Sequence, residues 1–145
     1  MAVRKIIRMG HPTLRKAARR LEARELASPE IGRLVNDMID TLNDSGGIGL
    51  AAPQIDESVR LAIIEIDGGP SRYGEVPAMP LTVFVNPTIE VVDPKPAGYW
   101  EGCLSVPGLR GFVAALAVPG LRKNVWRKRS PQSGAGEEGL GPGAL

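Results

Sequence analysis

The stretch SPEIGRLVNDMIDTLNDSGG, residues 28–47, constrains the fold more than any other part of the chain. Ser28 can cap a helix, Pro29 suits its first position, and Glu30 complements the positive end of the dipole. Ile31, Leu34, Val35, Met38, Ile39 and Leu42 then recur at steps of three and four residues, with Asn36, Asp37 and Asp40 facing away. Asp44-Ser45-Gly46-Gly47 supplies the glycine stop. A helix with one apolar stripe must lie on something, and the rest of the sequence offers only a sheet.

The strands of that sheet are expected in VRLAIIEI (Val59 to Ile66) and LTVFVNPTIEVV (Leu81 to Val92), both rich in β-branched residues, with Asn86-Pro87 marking a break in the second. The intervening DGGPSRYGEVPAMP, residues 67–80, reads as a long loop from its Gly and Pro content. Residues 11–27 mix helix formers with charges and read as a short helix or ordered arm. One helix followed by irregular strands, without a βαβ rhythm, gives an α+β fold: an amphipathic helix packed on an irregular, mainly antiparallel sheet.

The totals narrow the function classes. A chain of 145 residues is one domain's worth, and 43% hydrophobic residues suit a globular protein. A net charge of +2 is too small to argue for DNA or another polyanion as partner. One cysteine cannot form an intramolecular disulfide, so nothing points to an oxidising compartment. Charges interrupt every apolar run in MAVRKIIRMGHPTLRK, so it is not a secretory signal, and no segment approaches the roughly 18 apolar residues of a membrane helix. The expectation is a cytoplasmic protein.

From Gly111 to Leu145 about half the residues are Gly, Ala, Pro or Arg, and apolar periodicity is lost after Val118. Residues 1–112 are therefore expected to form the domain and 113–145 a disordered tail. The basic run LRKNVWRKRS around Trp126 reads as a solvated charge cluster, because no folded module is recognisable around it.

Two stretches carry chemistry. In GIGLAAPQI, Gly47 to Ile55, two glycines allow close backbone approach, and the Gln54 amide can donate to a carbonyl or oxyanion. The plainer alternative is a tight helix-to-strand connection with Gln54 merely exposed. In YWEGCLSVPG, Cys103 can present a thiolate to a metal, with the Leu104 N–H open to an anion. The plainer alternative there is a buried, inert thiol.

Taken together, GIGLAAPQ followed about fifty residues later by EGCLS closely resembles the first two motifs of the peptide deformylase family. MGHPTLRKAA and the helix before Gly46 are similar to that family's opening, so the resemblance covers residues 3 to 112. It implies metal-dependent hydrolysis that removes the formyl group from the N-terminal formyl-methionine of newly made proteins. The partner would be a formyl-methionyl nascent peptide near the ribosome. By resemblance Cys103 is a ligand of a divalent metal, iron(II) in most members, with zinc, nickel or cobalt as alternatives. Gln54 and the Leu104 N–H would be the donors to the formyl oxygen, and the main chain of Ile48, Gly49 and Gly102 would accommodate an extended peptide. Glu101 would support the site in an unspecified role, and Asp56 stands where the family often has Gly.

The family's third motif, His-Glu-x-x-His on a final helix, is absent from these 145 residues, whose single histidine is His11. A catalytic metal of this type takes three protein ligands, and Glu137-Glu138 are adjacent, so they cannot replace two histidines on one helix face. His11, in the N-terminal arm, is assigned a surface role. The chain as written is therefore expected to bind metal poorly and to be inactive, with a non-catalytic binder of formyl-methionyl peptides as the alternative and completion by a second chain or unusual ligands as a third. The Gly/Ala/Pro/Arg bias suggests a frameshift after GLRGFV; translating the other two frames downstream of Arg110 tests it. Without the final helix, Ile63, Ile66 and Phe84 are expected to be partly open and the chain prone to aggregate.

Overall fold

A computed structural model describes residues 2–71, 74–89, 96–116, 121–122 and 125–126. The elements in chain order are a 3-10 turn at Pro12–Arg15, α1 (Ala23–Leu26), α2 (Pro29–Ser45), β1 (Gly49–Ala51), a second 3-10 turn at Ala52–Ile55, and β2 (Leu61–Ile66). There follow β3 (Gly69–Ser71), β4 (Gly74–Val76), β5 (Met79–Val85), β6 (Thr88–Ile89), β7 (Pro96–Cys103), β8 (Val106–Leu116), β9 (Leu121–Arg122) and β10 (Val125–Trp126). The architecture is α+β, with one main helix and antiparallel sheets.

α2 forms as its sequence dictates. The Ser28 hydroxyl accepts from Ile31 N, Pro29 opens the first turn, and Gly46 closes the helix in the left-handed conformation at φ 64°. Ile31, Val35, Met38 and Leu42 are buried along one stripe, and Leu34 and Ile39 flank it half-buried. The helix packs over a four-stranded antiparallel sheet of order β1-β2-β5-β10. Leu61 stands opposite Val85 and Ile63 opposite Val83, so alternate residues of both strands point at the helix. Together with Leu50 and Ile55 they close the core, each buried side chain contributing about 1.5–3 kcal/mol. Among the described residues no helix is long and apolar enough to cross a membrane, and none follows α2.

The N-terminal arm is extended and tied down by hydrogen bonds. Arg4 N donates to Thr41 Oγ1 at 2.8 Å, and the Arg4 guanidinium bridges Asp37 and Glu57. Within residues 11–27 both anticipated forms occur, an arm and the short helix α1.

Two expectations are corrected. Residues 67–80 are not simply a loop: β3 and β4 fold back as a hairpin, and β5 already begins at Met79. The turn into that hairpin uses Gly68, at φ 81°, where a Cβ would sit 2.8 Å from Ala78 N. Ile63 and Phe84 are not open but 0% and 4% exposed, because α2 itself covers Ile63 and Phe84 lies in an inner strand between β2 and β10; Ile66 is partly exposed, as anticipated. β8 stays paired with β7 as far as Leu116 opposite Pro96. Beyond β8, residues 121–122 and 125–126 form β9 and β10, paired with β6 and β5. Residues 117–120, 123–124 and 127–145, and so most of the basic run around Trp126, lie outside the described residues. The second expected strand divides at Asn86-Pro87 into β5 and β6, and its last residues, 90–92, lie outside them as well.

Candidate functional site

Gln54 is presented by a short turn whose other residues are anchored. Ala52 and Ile55 are buried, and the turn ends at Asp56 in the left-handed conformation, φ 68°. An L-residue pays a steric penalty there that Asp tolerates better than most, and Asp56 is further held by Thr13, whose Oγ1 donates to Asp56 Oδ1 at 2.5 Å. That partner accounts for a carboxylate at the position where a glycine was expected.

Gln54 is not merely exposed. Its Oε1 accepts from Ala51 N at 2.8 Å, which fixes the amide so that Nε2 points outward and donates to Cys103 Sγ at 3.6 Å. Cys103 closes β7, and the pairing register shifts between Gly102 and Cys103, so that Gly102 faces Arg110 while Cys103 faces Val106. The thiol is exposed, which removes the reading of a buried, inert cysteine.

Gln54, Leu104, Ile48, Gly49, Gly102 and Cys103 all line one cleft of about 570 Å³, together with Trp100, Pro107 and Leu109. Leu104 packs its side chain against the core, across Gly47, where a Cβ would come within 2.9 Å of Leu104 Cδ1. At Gly49 a Cβ would lie 3.2 Å from Ile63 O, so a side chain there would crowd the neighbouring strand. Gly102 differs, since its nearest neighbours to such a Cβ are 3.8 Å away. The Ile48 carbonyl accepts from Glu65 N at 2.9 Å, while its side chain is exposed. Among the described residues β1 is an edge strand of the sheet, bonded on one side to β2. Glu101 is exposed and pairs in β7 with Gly111.

The N-terminal arm contributes what the sequence reading missed. Ile7 N donates to Gln54 O at 2.8 Å and Met9 N to Ser105 O at 2.9 Å, so the arm touches both chemical stretches. The only sequence signal was MGHPTLRK itself, read as a family opening and not as part of the site. Ionisable groups with displaced protonation, Arg4, Arg19, Glu25 and Glu30, lie outside the cleft lining.

The donor set does not fit a three-ligand metal centre. Cys103 supplies one soft sulfur, and among the described residues no three His, Cys, Asp or Glu side chains are grouped to hold an ion. His11 is occupied on the arm, where its Nδ1 accepts from Thr13 N at 3.3 Å and lies 3.7 Å from Asp56 Oδ1.

A family model for polypeptide deformylases matches residues 3–117. A peptide deformylase of Leptospira biflexa is 40% identical over 113 residues, covering 78% of this chain and 63% of that protein. Peptide deformylase 2 of Ralstonia nicotianae is 43% identical over 111 residues, 77% of this chain and 61% of the relative. The chain thus spans little more than three-fifths of these relatives. Among solved structures, a Met-Ala-Ser-bound class I type b peptide deformylase from Acinetobacter baumannii superposes with a TM-score of 0.68 at 33% identity, covering 77% of this chain and 70% of that one. A peptide deformylase from Legionella pneumophila gives 0.63 at 40% identity, over 77% and 59% of the two chains.

Proposed function

The chain belongs to the polypeptide deformylase family, and from that premise we propose that its cleft receives the formyl-methionyl end of a nascent peptide but that the 145-residue chain does not hydrolyse it. The family reaction is the metal-dependent hydrolytic removal of the formyl group from N-terminal formyl-methionine. Gln54 Nε2 and the Leu104 N–H are the donors for the formyl oxygen, and the edge of β1 near Ile48 and Gly49, with Gly102 opposite, receives the peptide backbone. Cys103 is the family's sulfur ligand for a divalent metal. The two further ligands that such a centre requires are not supplied by the described residues. The observation that carries the reading is the 3.6 Å contact between Gln54 and Cys103, which joins stretches 49 residues apart at one cleft.

The family match ends at residue 117 of 145, which supports a change of reading frame near that point. It also agrees with the loss of apolar patterning after Val118.

The test is to incubate the purified chain with a formyl-methionyl peptide and iron(II), nickel or cobalt, following formate, and to measure bound metal. Titration with a hydroxamate-type formyl mimic, with and without metal, then reads the cleft. The expected result is no formate, metal close to zero per chain, and weak binding of the mimic that is independent of metal. Stoichiometric, chelator-sensitive metal with formate release overturns the inactive reading. Absence of any mimic binding overturns the binder.

A further inference from the structure

The Gln54–Cys103 contact joins two stretches that also meet where Leu104 packs across Gly47. Gln54 sits on a four-residue turn, and Cys103 ends a strand of a separate two-stranded ribbon. The N-terminal arm adds backbone hydrogen bonds to both stretches. Ile7 and Met9 stand just before and within the turn closed by the His11 N–Arg8 O hydrogen bond. One donates to Gln54 O at 2.8 Å and the other to Ser105 O at 2.9 Å. A little further on, Thr13 Oγ1 donates to Asp56 Oδ1 at 2.5 Å. The turn is therefore gripped at Gln54 and again two residues later, while the Cys103 loop is gripped at Ser105. Thr13 is buried in the 3-10 turn that His11 caps.

We propose that residues Ile7–Thr13 are a clamp that sets the distance between Gln54 and Cys103, and that the Thr13–Asp56 hydrogen bond is its latch. Thr13 and Asp56 are positioning residues: neither lines the cleft, and they act through the orientation of the Gln54 turn. The inference deepens the reading of the cleft given above. It is tested by signals that need neither peptide binding nor hydrolysis, so the two fail separately.

Asp56 makes the test sharp. If its only task were to occupy a left-handed position, Asp56→Gly would relieve strain and leave the turn as firm or firmer. As half of a latch, its loss loosens the turn even though the backbone is more comfortable. The readouts are amide hydrogen exchange at Ala51, whose N–H is bonded to Gln54 Oε1, and the side-chain amide resonances of Gln54. Both are followed by NMR in the full chain, with exchange at Val35 and Met38 of α2 as the reference. Thr13→Val and Asp56→Gly are each expected to speed Ala51 exchange about tenfold, the scale of one lost hydrogen bond to a carboxylate. They should also move the Gln54 amide signals toward those of a free side chain, while Val35 and Met38 keep their protection. Thr13→Ser, which retains the hydroxyl, is expected to behave as the parent chain. Unchanged Ala51 exchange in Asp56→Gly overturns the proposal. Equal loss of protection at Ala51, Val35 and Met38 in both variants overturns it too, since Thr13 and Asp56 would then only support the fold.

Discussion

The Asn86 side chain completes a two-sided hydrogen-bonded pair with the backbone of Leu21: Leu21 N donates to Oδ1 and Nδ2 donates to Leu21 O, both at 2.8 Å and both buried. One amide thus does for the arm what a neighbouring strand would do. Asn86 itself adopts φ 48°, a region where Asn is tolerated. Asn86→Ala orphans two buried backbone groups and is expected to cost about 3 kcal/mol, read from the midpoint of urea denaturation at unchanged slope. Asn86→Gly suits the backbone and still loses both bonds, so it should be only slightly less damaging.

The contact between Gly47 and Leu104 gives a second expectation. An added methyl at residue 47 would lie 2.9 Å from Leu104 Cδ1, at the flexible end of a side chain. Gly47→Ala should push Leu104 into a new rotamer, visible as shifted methyl resonances, and lower stability by about 1 kcal/mol. Because Leu104 follows Cys103, affinity for a formyl mimic should fall with it. Unmoved methyl signals would show that the space is larger than the geometry indicates.

The Arg19–Glu25 pair carries a pH dependence. The Arg19 side-chain hydrogen bond, helped by the Glu22 backbone N–H, lowers the Glu25 carboxyl from its ordinary 4.5 to about 2. A depressed folded value means stability that is present above the unfolded value and lost as pH falls from about 4.5 to about 2. Both groups lie at the surface, so the effect on global stability is small and screened by salt. A carbon-detected titration of Glu25 should find its midpoint near 2, returning to the ordinary carboxylate range in Arg19→Ala.

The β7–β8 ribbon is where association should begin. Tyr99, Trp100, Leu109 and Phe112 are each more than half exposed, and Trp100 meets Phe112 edge to face at 5.6 Å between ring centres. Exposed aromatics on a ribbon that pairs with no other strand among the described residues form an apolar, edge-bearing surface. Replacing Trp100 and Phe112 together with Lys should raise the concentration at which light scattering appears, without altering exchange protection in α2. Equal scattering from both chains would place the sticky surface elsewhere.

How far the sequence speaks depends on how local each cause is. α2 was legible to the residue because Ser28, Pro29 and Gly46 act within a turn of where they stand, and the stripe from Ile31 to Leu42 needs only its own spacing. Thr41 was not part of that stripe, yet it is buried, its hydroxyl satisfied by Asp37 O at 2.6 Å. The β3–β4 hairpin was missed because Gly and Pro signal a break equally well in a loop or in a short ribbon. The burial of Phe84 and the bonds of Asn86 to Leu21 depend on partners far along the chain, which periodicity cannot name. At the site, residue types pointed to Gln54 and Cys103 separately, and only the resemblance joined them. Thr13 gave no signal, because its value lies in a carboxylate 43 positions away.

Among the described residues the buried apolar cluster runs from Leu21 to Val85 and draws on later ones only through the half-buried Leu104. During synthesis, which delivers the amino end first, the residues of that cluster, Leu104 aside, are therefore all polymerised before the thiol. Alterations downstream of the ribbon can then change what the protein does while leaving the residues of that cluster untouched.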